Sequence, residues 1–277
     1  MISFAGVIFP VVILGTLGLV FGALLAFASI KFFVETDERV SMIRAILPGA
    51  NCGGCGFPGC DGYADGIVDA GAKTNLCAAG GAALASGIAK IMGVDDEVSA
   101  PKRAYLKCNG SPDVSKKIAV YEGINDCRSA AILPGGSPKA CPFGCIGFGT
   151  CEKVCLFGAI SMINGLASID LDKCVGCGAC VSACPKSVLA LAPAASNVQV
   201  ICNSSWKGPD VKKVCSAGCI GCGLCAKTCQ AGAITVDRNI ATIDASKCTN
   251  CGACVAKCPA KCIGYLVPNP HEVRESA

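Results

Sequence analysis

The hydrophobic pattern separates a short N-terminal segment from the rest of the chain. Residues 1–30 carry no charged side chain, and nearly every position from Val7 to Ile30 is apolar or glycine. A helix over that stretch, at about 1.5 Å per residue, is roughly 36 Å long and can cross the hydrocarbon core of a bilayer. The pattern therefore predicts a transmembrane anchor in residues 1–31.

A cleavable signal peptide is the competing interpretation of this segment, because Ala26-Phe27-Ala28 resembles a cleavage site. The basic n-region of a signal peptide is missing, however, and the apolar run is longer than a signal peptide uses. We therefore expect the helix to remain as an uncleaved anchor.

The charges beside the helix predict its orientation. Lys31, Arg39 and Arg44 follow it, whereas no Lys or Arg precedes it. The positive-inside rule then places the rest of the chain in the cytoplasm, as a single-pass protein of the cell (inner) membrane. Because the cytoplasm is reducing, cysteines there are expected to be metal ligands and not disulfides.

Short stretches of alternating apolar and polar residues recur in the C-terminal half of the chain. AISMI, ASIDL, AITVD and ATIDA each predict a short strand. Asn164-Gly165 and Arg238-Asn239 lie where hairpin turns would join these strands. The result is a pair of small α+β modules, whose cores are too small to fold without bound metal.

Cysteine dominates the candidate chemistry. The chain of 277 residues has 25 cysteines but a single histidine, His271, which excludes Cys₂His₂ zinc fingers and bis-histidine haem ligation. A secreted disulfide scaffold is disfavoured by the length and by the odd number of cysteines. The net charge of +4 is too small to indicate nucleic-acid binding.

An internal repeat organises most of these cysteines, with 74 positions between equivalent residues. The first copy contains Cys145, Cys151, Cys155, Cys174, Cys177, Cys180 and Cys184. The second contains Cys219, Cys225, Cys229, Cys248, Cys251, Cys254 and Cys258. Each copy ends in C-x2-C-x2-C-x3-C-P, the run of bacterial ferredoxins, in which the fourth cysteine ligates the other of two clusters. A zinc site is a poor fit to this spacing.

Crossover ligation assigns four cysteines to each [4Fe–4S] cluster. In the second module the sets are Cys219, Cys222, Cys225, Cys258 and Cys229, Cys248, Cys251, Cys254. In the first module one set is Cys155, Cys174, Cys177 and Cys180. The other is irregular, because Phe148 occupies the position that matches Cys222. We assign the nearest spare cysteine, Cys141, to Cys145, Cys151 and Cys184; a three-iron cluster without Cys141 is the alternative.

A separate motif follows the membrane segment. Its spacing, Cys52-x2-Cys55-x4-Cys60-x16-Cys77, predicts one further [4Fe–4S] cluster, with a Cys₄ zinc site as the alternative. The GCGFPG in this stretch matches GxGxxG formally, but no apolar strand precedes it, so dinucleotide binding is not predicted.

These assignments give five clusters and leave five cysteines over, namely Cys108, Cys127, Cys202, Cys215 and Cys262. Cys108-Asn109 and Cys202-Asn203 echo each other upstream of the two modules. The spare cysteines are interpreted as small buried thiols, or as ligands of a sixth cluster.

The predicted organisation is one transmembrane helix, one Cys₄ [4Fe–4S] domain and two dicluster-ferredoxin-like modules. The boundaries are 1–31 for the anchor, 32–94 for the [4Fe–4S] domain, 95–135 for a linker, 136–195 and 206–268 for the modules, and 269–277 for a tail.

This order of motifs, with CGGCGFPGC at residues 52–60 between the anchor and the ferredoxin runs, resembles the B-subunit family of the Rnf complex. That complex is a membrane-bound ferredoxin:NAD⁺ oxidoreductase coupled to Na⁺ or H⁺ translocation. The resemblance implies a translocase subunit that accepts electrons from reduced ferredoxin and relays them to membrane, flavin-bearing and NAD⁺-reducing partner subunits. It implies no bond chemistry in this chain, and it puts the cluster of Cys52–Cys77 at the membrane face.

Many members of this family look shorter, with one ferredoxin module. A membrane-anchored polyferredoxin that serves another redox enzyme is the alternative, and a zinc-stabilised scaffold is a third hypothesis.

Overall fold

The structure is a computed structural model that describes residues 4–32, 37–95, 100–132 and 134–266. The predicted tail and His271 lie outside the described residues. The helices are α1 (Phe4–Lys31), α2 (Glu38–Ile46), α3 (Gly59–Ala70), α4 (Gly81–Met92), α5 (Cys127–Ile132), α6 (Thr150–Lys153), α7 (Ala179–Ala183), α8 (Gly208–Val214), α9 (Leu224–Thr228) and α10 (Ala253–Lys257). The strands are β1 (Lys102–Leu106), β2 (Ile160–Ile163), β3 (Leu166–Ile169), β4 (Leu189–Pro193), β5 (Val198–Val200), β6 (Ile234–Asp237), β7 (Ile240–Ile243) and β8 (Ile263–Tyr265).

Helix α1 is the element that the N-terminal apolar run predicts. Its segment Val12–Lys31 has a mean hydropathy of 2.2, and none of it is buried against the rest of the protein. It is long and apolar enough to cross a membrane. An apolar segment that is not buried against the protein, as Val12–Lys31 is not, needs lipid or another subunit to cover it.

Three helices form the domain that follows the anchor. Ile43 of α2, Tyr63 and Ile67 of α3, and Ile88 of α4 are almost completely buried in their common core. The Asp37 side chain accepts a hydrogen bond from the Arg39 backbone N–H and caps α2. The core is small, and it includes Cys60 and Cys77 at its edge.

Tyr63 fixes the loop that leads to Cys77. Its hydroxyl donates to the Lys73 carbonyl oxygen at 2.7 Å and accepts from the Leu76 backbone N–H at 3.1 Å. Burial raises the pKa of Tyr63 to about 12, so the hydroxyl remains a neutral donor and acceptor.

Each ferredoxin-like module contains two antiparallel strand pairs. The central hairpins are β2–β3 and β6–β7, and their turn residues Asn164, Arg238 and Asn239 have positive φ, as two-residue hairpin turns require. The four strands predicted from alternation are therefore present. An outer pair encloses each hairpin in sequence, β1 with β4 and β5 with β8.

The outer strands β1 and β5 lie upstream of the predicted module boundaries. Strand β1, from Lys102, falls within residues 95–135, for which a linker was predicted, and β5 precedes residue 206. Each pairs with a strand at the far end of its module, so no hairpin turn nearby in the sequence indicates it. Helix α5 is also in the predicted linker segment.

We predict that Tyr63→Phe will loosen the loop before Cys77. The Lys73 carbonyl and the Leu76 N–H lose their buried partner, which costs about 1–3 kcal/mol. Amide hydrogen exchange across residues 70–80 of the full chain should accelerate accordingly. Tyr105→Phe is the matched control, because within the described residues no hydrogen bond to the Tyr105 hydroxyl is found; equal exchange in both variants would contradict the role given to Tyr63.

Candidate iron–sulfur centres

Three cysteines of the N-terminal motif, Cys55, Cys60 and Cys77, pack in or against the core of the three-helix domain. Cys60 is on α3, where its backbone N–H donates to the Asn51 side-chain oxygen at 2.8 Å. Burial raises the pKa of Cys77, and the neighbouring Cys52, Cys55 and Cys60 thiols raise it further. Four neighbouring thiols without a histidine suit a [4Fe–4S] cluster.

Two of the predicted ferredoxin-type sets each surround a cavity. The cavity in the first module is lined by Cys155, Cys174, Cys177 and Cys180. The cavity in the second module is lined by Cys219, Cys222, Cys225 and Cys258, with Cys262 beside them. In the remaining set, burial and then the Cys248 and Cys229 thiols raise the pKa of Cys254. Cys251 of that set is exposed.

The irregular set of the first module differs from the prediction. A cavity in this module is lined by Cys127, Cys145, Cys151 and Cys184. Cys141 is absent from this lining and faces a different cavity. The structure thus brings Cys127 to Cys145, Cys151 and Cys184, where the sequence led us to expect Cys141.

The physical reason is the polypeptide between β1 and α6, which returns to the module and delivers Cys127 at the start of α5. The Cys127 backbone N–H donates to the Thr150 hydroxyl at 2.7 Å, and that hydroxyl donates to Asp126 at 2.7 Å. Phe148 packs on Tyr121 with ring centroids 4.9 Å apart. Position 148 has no cysteine, and Cys127, which lies 21 residues upstream, lines the cavity instead. The second copy of the repeat has no segment equivalent to the one that contains Cys127. Neither the spacing of the cysteines nor the repeat therefore indicated this residue.

Another cavity lies between the two modules. Its cysteines are Cys108, Cys141, Cys202 and Cys215. Three of these, Cys108, Cys202 and Cys215, had no cluster in the sequence assignment. The repeated dipeptides Cys108-Asn109 and Cys202-Asn203 were the sequence feature that could have indicated a shared site.

Cys262 stands apart from the other spare cysteines. It is 2% exposed, and its sulfur lies 3.5 Å from that of Cys258. Its equivalent in the repeat is Val188, which is equally buried. Cys262 therefore occupies a core position of the module, in keeping with a small buried thiol.

Desolvation makes many of these thiols strong candidates for metal ligation. Burial raises the pKa of Cys145 to about 11 and the pKa values of Cys151 and Cys180 to about 12. A buried thiolate is unfavourable unless a cation shares its charge, and iron supplies that charge when it replaces the proton. Backbone N–H groups point at some sulfurs, for example Ala104 at Cys174 and Ala159 at Cys155, both at 3.4 Å. Such hydrogen bonds raise the reduction potential of a cluster.

The N-terminal set and the first ferredoxin module are in direct contact. A Cβ added to Gly54 would lie 2.6 Å from the Cys177 carbonyl oxygen and 3.0 Å from its Cβ. The Cys52 thiol also contributes to the raised pKa of Cys177, after burial. Only glycine at position 54 allows the two ligand loops to approach this closely.

Comparison with known sequences identifies iron–sulfur domains at three places in the chain. Residues 47–79 match the family described as "Putative Fe-S cluster", residues 167–189 a 4Fe-4S binding domain, and residues 218–262 a 4Fe-4S dicluster domain. The matches cover the N-terminal motif and the second module, and they support iron–sulfur clusters in preference to zinc.

Relatives align along nearly the whole chain. The B subunit of the Na⁺-translocating ferredoxin:NAD⁺ oxidoreductase complex of Acetobacterium woodii is 47% identical, over 93% of this chain and 77% of its own length. The B subunit of the proton-translocating ferredoxin:NAD⁺ oxidoreductase complex of Clostridium ljungdahlii is 48% identical, over 87% of this chain and 85% of its own length. The B subunit of the ion-translocating oxidoreductase complex of Methanosarcina acetivorans is 42% identical, over 91% of this chain and 96% of its own length.

The chain belongs to the family of Rnf-complex B subunits. It is therefore part of an oxidoreductase, and the family is membrane-associated. The predicted resemblance is thereby confirmed. The apolar helix and the iron–sulfur domains agree with an electron-transfer role for this member of the family.

We predict that Gly54→Val will separate the N-terminal cluster from the first ferredoxin module. The new side chain collides with the Cys177 backbone, and overpacking of this kind costs about 1–3 kcal/mol. The magnetic coupling between the two reduced clusters, measured by electron paramagnetic resonance, should weaken while the iron content stays constant. Gly87→Ala on α4 is the control, because its Cβ meets only the end of the Ile46 side chain, at 3.3 Å. Unaltered coupling in Gly54→Val would show that the two centres are not neighbours.

Proposed function

We propose that this chain carries electrons from reduced ferredoxin through [4Fe–4S] clusters to partner subunits that reduce NAD⁺ and translocate Na⁺ or H⁺. The observation that carries the proposal is the succession of four-cysteine sets between an exposed end of the second module and the domain that follows the membrane helix. The names of the relatives, which specify ferredoxin:NAD⁺ oxidoreductase complexes, support the same role.

Five clusters follow from the sets already described. Four of the ligand sets are the predicted ones, and the fifth uses Cys127 with Cys145, Cys151 and Cys184. A set of four cysteines around one cavity favours a complete [4Fe–4S] cluster there over a three-iron cluster.

The second module is the proposed site of electron entry. Among all 25 cysteines, only Cys222 and Cys251 are exposed, and both belong to this module. Clusters with exposed ligands can come close to an external donor protein. Exposed Lys227 and Lys257 lie in the last turns of the short helices α9 and α10, which begin two residues after Cys222 and Cys251, so the approaching partner should be acidic.

The N-terminal domain is the proposed exit. Its cysteine motif follows the membrane helix in the sequence, and its loop at Gly54 contacts Cys177 of the first module. Electrons that reach the first module therefore have a route to a cluster near the membrane and the membrane subunits. We propose that this soluble part faces the cytoplasm, because Lys31, Arg39 and Arg44 follow the helix.

The first test is the double variant Cys251→Ser and Cys254→Ser in the intact complex. It should lose about four irons per chain and should slow the reduction of the remaining clusters by reduced ferredoxin. Reduction of those same clusters by a small photoreductant should proceed as in the wild type, because that reagent does not depend on the entry module. Wild-type reduction by ferredoxin after loss of the cluster would exclude entry through the cluster of Cys229, Cys248, Cys251 and Cys254.

Charge reversal on the entry face gives a test that leaves every ligand in place. Lys227→Glu with Lys257→Glu should lower the rate constant for reduction by ferredoxin about tenfold at low ionic strength, because steering of an acidic partner is lost. The difference should shrink as salt is added, since screening removes the same attraction from the wild type. Lys90→Glu, an exposed site on α4 far from the entry module in sequence, is the control. An equal effect of Lys90→Glu would contradict the position of this face.

A further inference from the structure

We propose that Cys108, Cys141, Cys202 and Cys215 ligate a sixth [4Fe–4S] cluster, at the junction of the two ferredoxin modules. None of the family matches, at residues 47–79, 167–189 and 218–262, includes any of these four cysteines. Together they line the cavity between the modules.

The four thiols form two pairs, one from each module. Cys141 and Cys215 are separated by the repeat length of 74 residues. Cys108 and Cys202 each follow the outer strand of their module, β1 and β5, by two residues. Each module therefore contributes the same pair of cysteines, and the site is complete only when both modules are docked.

Backbone contacts hold the modules together at this place. The Lys116 N–H donates to the Val214 carbonyl oxygen at 2.9 Å, and the Ser216 N–H donates to the Val114 carbonyl oxygen at 3.0 Å. Ser115 and Cys215 form a bridge between these two bonds. Phe143 of the first module packs edge-on against Trp206 of the second, with ring centroids 5.8 Å apart.

Small residues keep the space between the thiols open. Gly144 and Gly218 are equivalent in the repeat, and both line the cavity. A Cβ on Gly144 would lie 3.5 Å from the Cys141 carbonyl oxygen and 3.8 Å from the Cys108 sulfur. Glycine before a ligand cysteine of each module leaves room for a bulky inorganic group.

A buried cation beside the cavity points to an anionic occupant. Lys139 is 5% exposed and lines the cavity. Its ammonium donates to the carbonyl oxygens of Gly110 at 2.7 Å and Gly165 at 3.4 Å, and the described residues offer it no ion pair with a carboxylate. An ammonium buried without a counter-charge is strongly disfavoured. A cluster with four thiolate ligands carries net negative charge and would supply the compensation.

Two sulfurs of this site accept hydrogen bonds from backbone N–H groups of cysteines in the neighbouring sets, one in each module. The Cys145 N–H donates to the Cys108 sulfur and the Cys219 N–H donates to the Cys202 sulfur, both at 3.3 Å. Cys145 belongs to a set of the first module and Cys219 to a set of the second. If the proposed function is correct, the sixth cluster accepts one electron as the second-module cluster is oxidised, and returns to its oxidised form as the first-module cluster is reduced.

Metal analysis of the full chain, prepared anaerobically in the complex, tests the site without relying on activity. Six clusters require about 24 iron atoms and about 24 acid-labile sulfides per chain, whereas five require about 20 of each. Cys202→Ser with Cys215→Ser should remove about four of each and should delete one component of the Mössbauer spectrum. Cys262→Val, which copies the repeat residue Val188 into a core position, should retain all the iron.

The outcomes separate the sixth cluster from the proposed function. A wild-type value near 20, with or without one zinc per chain, overturns the site whether or not the double variant folds. A value near 24 that falls to about 20 in the double variant supports it, even if ferredoxin is not the donor. A further variant assigns the ligands: Cys141→Ser should lose the same spectral component as the double variant, and loss of a different component would return Cys141 to the neighbouring set.

Discussion

Bonds between cysteine thiolates and iron are the interaction on which the rest of this structure depends. The ferredoxin-like modules contain only two-stranded sheets and very short helices, which are marginal in water by themselves. The hydrophobic core of each module combines cysteines with a few large apolar side chains. In such a domain the free energy of metal binding is a large part of the free energy of folding. The thiols are desolvated, so replacing each proton by iron removes the cost of burying the thiolate.

Stabilisation by metal binding also explains the close spacing of the cysteine sets. Ligand loops that fold around a metal group need little polypeptide between them, and glycine permits backbones to come together where two loops meet. Gly54 against Cys177 joins the N-terminal domain to the first module, and the Cys108 and Cys202 sulfurs accept hydrogen bonds from ligand residues of adjacent sets. A protein built in this way is a series of redox sites at short range, which agrees with an electron-transfer role in the Rnf family.

Internal duplication accounts for the site between the modules. A single module has an outer strand followed by a cysteine, and a second cysteine just before its first ligand run. One such pair is too few for a [4Fe–4S] cluster, but docking two copies brings both pairs to one cavity. The first copy also carries the segment with α5, whose Cys127 lines the cavity of Cys145, Cys151 and Cys184.

The sequence alone determined the features that depend on neighbours along the chain. The apolar run at α1, the ferredoxin cysteine runs, the hairpin turns and the grouping of Cys52, Cys55, Cys60 and Cys77 all follow from local spacing and composition. The tertiary structure decided the features that join distant segments: the pairing of β1 with β4 and β5 with β8, the place of Cys127, and the cavity shared by Cys108, Cys141, Cys202 and Cys215. Spacing ranked Cys141 above Cys127 because it is nearer in sequence to Cys145. Distance along the chain does not give distance in space once an inserted segment folds back, and the physical contacts of Thr150, Asp126 and Phe148 settle which thiol reaches the cavity.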